Sequence, residues 1–491
     1  MNRLDKIWIS FLAISALLGG MLLASLSPYM VIIIPAAFIV GVFLLSSKEA
    51  CLFISILILP VLGSNVLSTP ILPVPGARIS NMLLVVALIG FLINSKLDFS
   101  EVKPGVLFYA GSILLLLTAA MRSGHVARYS IEFWEESYTP VKFFISHGVI
   151  QALRSVPFLM IIAAVRSRVE IDRVTKYMAI SMILFSLTIM GIYFLGVPTG
   201  SDFQTTRDII AEHLGMHGNN LADFLIVGFP VMLSLSLDPK NPHKKWFYLA
   251  VILSLIATAM TYSRAAYFIV VLAVLLIILL TKNYRLVVPM VVVMLLITTL
   301  MPTVVDRALT GFDTRDADDF TAGRTDMIWR AVIRDIEISW STAPEKIVFG
   351  YGRYGIMDLR DFKNQRMIRT NQAHNMYLDT LLNSGIVGLI FYLFFFIWLI
   401  VRLVTCYVNK KMNSLDEQIY LLTGLLVSIV SFLIRGFTDS FFLPQLSNAY
   451  MYIVVAIAFV MLRKGYIKKS GKENFQTGGN KYVHKFDTNV L

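Results

Sequence analysis

Apolar residues along this chain fall into long runs separated by short polar breaks. The first is Ile7 to Leu26, behind the basic start Asn2-Arg3-Leu4-Asp5-Lys6. Further runs follow at about 29–45, 51–62, 79–94, 105–121, 149–165, 174–196, 221–237, 246–262, 264–281, 285–301, 376–405, 418–434 and 444–463, fourteen in all. A lipid-spanning helix needs about 20 predominantly apolar residues, and most of these runs approach that length. Small residues at Ala24 and Ser25 would suit a cleaved signal peptide. A signal's apolar region is only about 7–15 residues, however, so the longer first run reads as an uncleaved helix.

The polar breaks alternate in character. With the N-terminus inside, one side collects Lys48, Lys96, Lys103, Arg166, Arg168, Arg173, Lys176, Lys240, Lys244, Lys245, Lys282, Arg285, Lys410 and Lys411. It also receives the basic tail after Met461. The bias of lysine and arginine toward cytoplasmic loops therefore predicts that both termini are cytoplasmic. The other side receives longer polar stretches at about 63–78, 122–148, 197–220 and 302–375. Within the last, Ile328, Val332, Ile336 and Trp340 recur every four residues, which predicts an amphipathic helix on the outer face.

The expected fold class is all-α, a polytopic helical bundle of about fourteen transmembrane helices with a long extracytoplasmic loop. Its expected divisions are spans one to eleven at 1–301, the loop at 302–375, the last three spans at 376–463 and a cytoplasmic basic tail at 464–491.

Composition narrows the class. Of 491 residues, 57% are hydrophobic and 15% charged, with a mean hydropathy of +0.72. Soluble domains average about 45–50% apolar and 25% charged. A soluble enzyme, a disulfide scaffold and a disordered chain are all excluded. The net charge of +12 belongs to the topology signal and implies no nucleic-acid partner. The two cysteines, Cys51 and Cys406, lack neighbours at ligand spacing, so neither a disulfide framework nor a zinc site is expected.

Candidate chemistry gathers in the outer stretches. Thr261-Tyr262-Ser263-Arg264-Ala265-Ala266-Tyr267 is squeezed between two apolar runs, so Arg264 sits at the membrane surface. It either meets a partner there or snorkels to headgroups. Gly323-Arg324-Thr325-Asp326-Met327-Ile328-Trp329 opens the amphipathic segment. Arg324 there is an anion-binding candidate or a solvated loop arginine. Gly350-Tyr351-Gly352-Arg353-Tyr354-Gly355 formally matches G-x-G-x-x-G, but no strand precedes it, and a tight turn is the better reading. His374-Asn375 is followed after nine residues by Gly385-Ile386-Val387-Gly388, where the loop re-enters the membrane. An imidazole can take a proton near neutral pH, although a capping role is also open to it.

Together these segments resemble the membrane family of O-antigen ligases and O-antigen-type polymerases. The H-N-x9-G-x-x-G pattern, the S-R-A-A turn, the G-R-x-x-x-I-W segment and the F-G-x-G turn occur in that family's order. His217-Gly218-Asn219-Asn220-Leu221-Ala222 looks like its asparagine-bearing start of a span. The diagnostic likeness covers about 200–405, and the first 190 residues match in hydropathy alone.

The resemblance implies a glycosyltransferase of the bacterial plasma (inner) membrane with its site on the outer face. The donor would be a glycan on a polyprenyl pyrophosphate. Other expected partners are a glycan acceptor, the bilayer and polysaccharide-export proteins, with no cofactor and no metal. Carried over residue by residue, Arg264 and Arg324 bind the pyrophosphate and His374 acts as base.

Elementary chemistry agrees, because guanidinium groups stay charged and fork onto phosphate oxygens as the leaving group departs. Asn220, Asn375, Arg353, Arg435 and Asp439 are expected to bind substrate. Arg435 and Asp439 could instead pair with each other, and Asn220 or Asp223 could cap a helix. His213 and His217 are four apart, as helix-borne metal ligands can be, but no third ligand accompanies them. The acidic run 313–319 lacks the spacing of a calcium loop.

The favoured reading is polymerisation of lipid-linked repeat units into a surface or cell-wall polysaccharide such as teichuronic acid. Ligation of a finished chain to lipid A core or another acceptor is the alternative. A flippase is the second; it would call for charged or broken helices at the bilayer midplane and for paired halves, and the sequence has neither.

Overall fold

In the computed structural model the described residues run from 41 to 463. They leave out 65–66, 69–77, 135–136, most of 287–322, 413–417, 440–441 and a few single positions. The apolar runs at 7–26, 29–45 and 285–301 lie wholly or mostly outside the described residues, as do the acidic run and the basic tail.

Among the described residues no strand forms. The first half comprises α1 (Lys48–Ile58), α2 (Ile79–Asn94), α3 (Lys103–Met121), α4 (Pro140–Ala164), α5 (Arg168–Gly196), α6 (Phe203–Leu214) and α7 (Gly218–Ser236). Then come α8 (Lys244–Met260), α9 (Arg264–Thr281), α10 (Arg330–Thr342), α11 (Pro344–Phe349), α12 (Met376–Met412), α13 (Ile419–Arg435) and α14 (Ala449–Met461).

The remaining eleven predicted runs each coincide with a helix. Among the described residues, six helices, α3, α4, α5, α7, α9 and α12, are long and apolar enough to cross a membrane. The apolar helices at Ile79–Asn94, Ile419–Arg435 and Leu446–Met461 are shorter. The predicted number of fourteen spans is thus met in part. The strongest departure in boundary is α4, which begins at Pro140, capped by Thr139, well before the apolar run at 149.

Helix α7 is the axis of the bundle, with every residue from Leu221 to Ser236 buried. Pro230 stands inside it. A proline removes one backbone donor and usually kinks a helix, and neighbours in a membrane bundle supply compensating contacts. Here α13 does so. Gly424 lets its backbone approach Val231 and Pro230, where a Cβ would come within 2.8 Å of the Val231 Cα. Ser428 donates to the Val227 carbonyl at 2.6 Å, and Ser234 of α7 donates to the Tyr420 carbonyl at 2.5 Å. Small and hydroxyl residues therefore hold these helices together where apolar burial cannot discriminate partners.

Charged residues segregate to the ends. At one end Lys48 pairs with Glu170 at 3.0 Å, Arg166 with Asp98 at 3.9 Å, and Arg463 with Asp98 at 3.8 Å. Arg463 also meets Glu101. Loops that the basic pattern assigned to one side thus meet one another.

At the opposite end, residues of 323–375 and 126–143 enclose a second, smaller apolar core. It includes Val126, Phe143, Ile328, Val332, Tyr354 and Phe362. The amphipathic helix faces this core, but its expected stripe is shorter than four residues. Ile328 and Val332 are buried and Ile336 packs beside them, whereas Trp340 is 60% exposed. Each step of four overshoots a full turn by about 40°, so the fourth position has rotated by about 120° out of the core.

Candidate active site

The N-terminus of α12 sets the position of His374. Asn375 caps it, its Oδ1 accepting from the backbone N–H groups of Tyr377 at 3.1 Å and Leu378 at 3.2 Å. Asp379 in the first turn reaches back to accept from the Ala373 N–H at 2.8 Å. The Met376 N–H donates to the Gly436 carbonyl at 2.7 Å, tying this turn to the end of α13. Trp329, last in the G-R-x-x-x-I-W segment, donates its indole N–H to the Ala373 carbonyl at 2.8 Å. Between these ties His374 adopts φ 51°, a left-handed conformation uncommon for a residue with a Cβ. Five hydrogen bonds on its neighbours fix a backbone that the residue alone would avoid.

The turn after α13 supplies the facing groups. His374 Nδ1 lies 3.5 Å from the Asp439 carboxylate. Asp439 is buried and accepts from Asn219 Nδ2 at 2.8 Å, and Arg435 Nη2 stands 3.6 Å away. Burial pushes the Asp439 carboxyl up, but the imidazole of His374 and the guanidinium groups of Arg435 and Arg324 outweigh it and hold the group well below the usual carboxylate range. Arg435, 1% exposed, bonds Asp223 at 2.9 Å and the Thr438 hydroxyl at 2.5 Å. Such a buried pair costs about 3–5 kcal/mol to break by removing one partner. It anchors the 436–439 turn to the axial helix α7.

The arginines collect around this turn. Arg324 donates to the Thr438 carbonyl and lies within electrostatic reach of Asp439. Arg264 is the first residue of α9, after a three-residue turn in which Tyr262 is left-handed. Tyr267 ties the two helices by donating to the Ala259 carbonyl at 2.8 Å. Arg264 lies within electrostatic reach of Arg307 and Arg324. Arg307 stacks on Phe203, 4.5 Å from the ring centre. Arg207 of α6 donates to Asn219 at 3.0 Å and stands 3.4 Å from the His217 ring. Among the described residues, this end of the bundle thus gathers the guanidinium groups of Arg207, Arg264, Arg307, Arg324 and Arg435, the imidazoles of His217 and His374, and the ionised carboxylate of Asp439.

The expected trio is brought together through neighbours. His374 pairs with Asp439, Arg324 reaches Asp439, and Arg264 reaches Arg324. Arg435 and Asp439, expected to bind substrate, stand 3.6 Å apart, as in the alternative in which they pair with each other. Four expectations differ in detail. It is Asn219 whose amide enters the network, while half-buried Asn220 stands one position on. The helix-capping residue there is His217, which accepts from the Asn219 N–H at 3.4 Å. Asn375 spends its side-chain oxygen on capping α12. Arg353, 1% exposed, bonds Gln445 at 3.2 Å and stacks on Tyr354, so its contacts are internal in this structure.

Sequence reasoning passed over Arg207, Asn219, Thr438 and a role for Trp329. Thr438 acts on Arg324 through its carbonyl, which no side-chain pattern reveals. Arg207 belongs to a helix of α6 length in a polar stretch, where nothing local distinguishes it.

The glycines of the two turn motifs meet each other. Gly385 breaks α12 with φ 69° and ψ −171°. A Cβ there would fall on the Val348 carbonyl oxygen and 2.5 Å from the Gly350 nitrogen. A Cβ on Gly350, also at positive φ, would meet the Ser384 and Gly385 nitrogens at 2.5 and 2.6 Å. The Tyr351 N–H donates to the Leu382 carbonyl at 2.7 Å across the same contact. Gly385, the first glycine of H-N-x9-G-x-x-G, and Gly350, the first of F-G-x-G, are therefore two halves of one backbone-to-backbone junction. It seats the second core on α12.

No curated protein matches the chain. Residues 249–393 match the family model described as O-antigen ligase, a span that runs from α8 through Arg264, Arg324, the glycine junction and His374. Over residues 249–393 this helical protein, with helices long and apolar enough to cross a membrane, is thus similar to the O-antigen ligases, in line with the ligase and polymerase type that its motifs resembled.

Proposed function

We propose that this protein polymerises polyprenyl-pyrophosphate-linked repeat units into a surface or cell-wall polysaccharide on the outer face of the membrane. In this reading a hydroxyl of one lipid-linked glycan attacks the anomeric carbon of another. A glycosidic C–O bond forms as the C–O bond to pyrophosphate breaks, and the leaving pyrophosphate takes the electron pair. His374 accepts the hydroxyl proton at Nε2, since Nδ1 faces Asp439. The Asp439 carboxylate orients the ring and stabilises the imidazolium as it forms. Arg324 and Arg264 receive the charge on the pyrophosphate, a task suited to rigid, permanently charged forks. The lipid tail stays in the bilayer, consistent with Arg264 at the very start of an apolar helix.

The observation that carries the proposal is the imidazole 3.5 Å from a buried carboxylate, on a turn that an arginine of the family's motif grips from the other side. Fourteen apolar runs in the sequence favour polymerisation; the description of the matched family favours the second reading, ligation of a finished chain to a separate acceptor. Deleting the gene and identifying the lipid-linked sugar that accumulates separates them. Single repeat units are expected. Long lipid-linked chains would mean ligation, and units trapped on the cytoplasmic leaflet would mean a flippase. Complementation with His374→Ala should restore protein to the membrane without restoring polymer.

A further inference from the structure

A second polar cavity lies at the opposite end of the bundle from His374. It has a volume of about 330 Å³ and sits among the first turns of α5, α8 and α13 and the last turn of α7. Four cations line it: Arg168, Arg173, Lys176 and Lys240. Two carboxylates share it, Asp172, 3.9 Å from Arg168, and Asp238, which accepts from the Lys240 N–H at 2.9 Å. Arg173 also approaches Glu49 at 3.7 Å. Positive side chains in the lining still outnumber negative ones by two.

Two further features make this more than a basic surface. Gln418, 4% exposed, lines the cavity with both amide atoms buried and no hydrogen-bond partner. A buried amide left unpaired is costly, so an occupant is the expected explanation. Gln418 is also the N-cap residue of α13, and His243 that of α8; both line the cavity and neither caps its helix with its side chain. Two 17-residue helices therefore aim uncapped N-termini at one space. Helix N-termini attract anions through their free N–H groups and dipoles.

The surroundings indicate where the anion comes from. Val169, in the lining, and Trp246, next in sequence to the lining residue Phe247, are 59% and 53% exposed. An exposed tryptophan at a helix end marks the headgroup level of a bilayer, and basic pockets between helix ends are suited to lipid phosphates.

We propose that this cavity binds a phosphate group, that of an anionic phospholipid headgroup in the leaflet opposite the His374 site. The Gln418 amide and the α8 and α13 N-termini donate to the phosphate oxygens, and Arg168 and Lys176 balance the charge. The lipid would clamp α5, α7, α8 and α13 together at the end away from the chemistry.

Native mass spectrometry of the detergent-purified full-length protein tests this with phosphatidylglycerol, phosphatidylcholine and inorganic phosphate as probes. Retention of phosphatidylglycerol but not phosphatidylcholine is expected. Arg168→Ala and Lys176→Ala should each weaken it about fivefold. Gln418→Leu should also weaken lipid retention while leaving the thermal midpoint equal or higher, because it removes an unpaired buried amide. Half-exposed Lys176 keeps the test valid should Gln418→Leu fail to fold. Equal retention of the two lipids, or retention unchanged in the variants, would overturn the proposal. Stabilisation by millimolar inorganic phosphate with no lipid preference would assign the site to a soluble phosphate and overturn the lipid.

Discussion

Asp439→Asn isolates the charge behind His374 while nearly preserving shape. In the proposed reaction His374 gains a proton as the glycosidic bond forms, 3.5 Å from the Asp439 carboxylate. Opposite unit charges at that distance attract by about 5 kcal/mol at an effective dielectric constant near 20. The His374 side chain is 29% exposed, and solvent screening leaves about 2 kcal/mol of this as transition-state stabilisation, or roughly a thirtyfold loss of turnover.

The fold should survive, because Arg435 keeps Asp223 at 2.9 Å. Acidification does not mimic the variant. The lowered pKa means that the ionised group's contribution to stability is complete above the ordinary carboxyl value near pH 4. It is lost only as the pH falls through the lower folded value. The assay is the initial rate of chain extension in proteoliposomes supplied with lipid-linked repeat units, normalised to folded protein. Turnover within twofold of wild type would refute the role given to Asp439. So would a loss in Asp439→Asn that simply adds to the loss in His374→Ala instead of overlapping with it.

Arg264→Lys keeps the charge but loses the fork, so turnover should fall about tenfold; near-normal rates would indicate simple charge or snorkelling. Trp329→Phe removes the 2.8 Å bond to the Ala373 carbonyl and should cost about 1 kcal/mol of stability. Its informative readout is a lower kcat at unchanged KM, and an unchanged kcat would mean the indole does not position His374. Gly385→Ala combines about 1–3 kcal/mol of backbone strain with a Cβ inside the Val348 and Gly350 backbone, so folded protein should be largely lost from the membrane. Accumulation at wild-type level would disprove the junction. Chelation with EDTA should leave the rate of the wild-type protein unchanged, and a collapse rescued by a divalent cation would contradict the metal-free reading.

Run length and polarity alone were enough to locate eleven of the described helices, because a span must satisfy its own backbone and expose apolar side chains wherever it sits. The same local logic made Arg264, Arg324 and His374 stand out as polar groups at the edges of apolar runs. It also assigned the basic loops to one side, and those residues do pair at one end of the bundle.

What the sequence left open depends on which surfaces meet. The choice of Asn219 over Asn220 follows from His217 capping α7, which sets the rotation of the first turn. The grip of Arg324 runs through a carbonyl 114 positions away and carries no side-chain signature. Trp340 leaves the apolar stripe through accumulated helical rotation. The glycines of two separate motifs prove to be one junction only when α11 is laid against the break in α12. Periodicity and propensity are properties of a segment, and a chain displays them by itself. Pairing between segments is a property of closed three-dimensional packing, where bonds between residues hundreds of positions apart decide which polar group faces which.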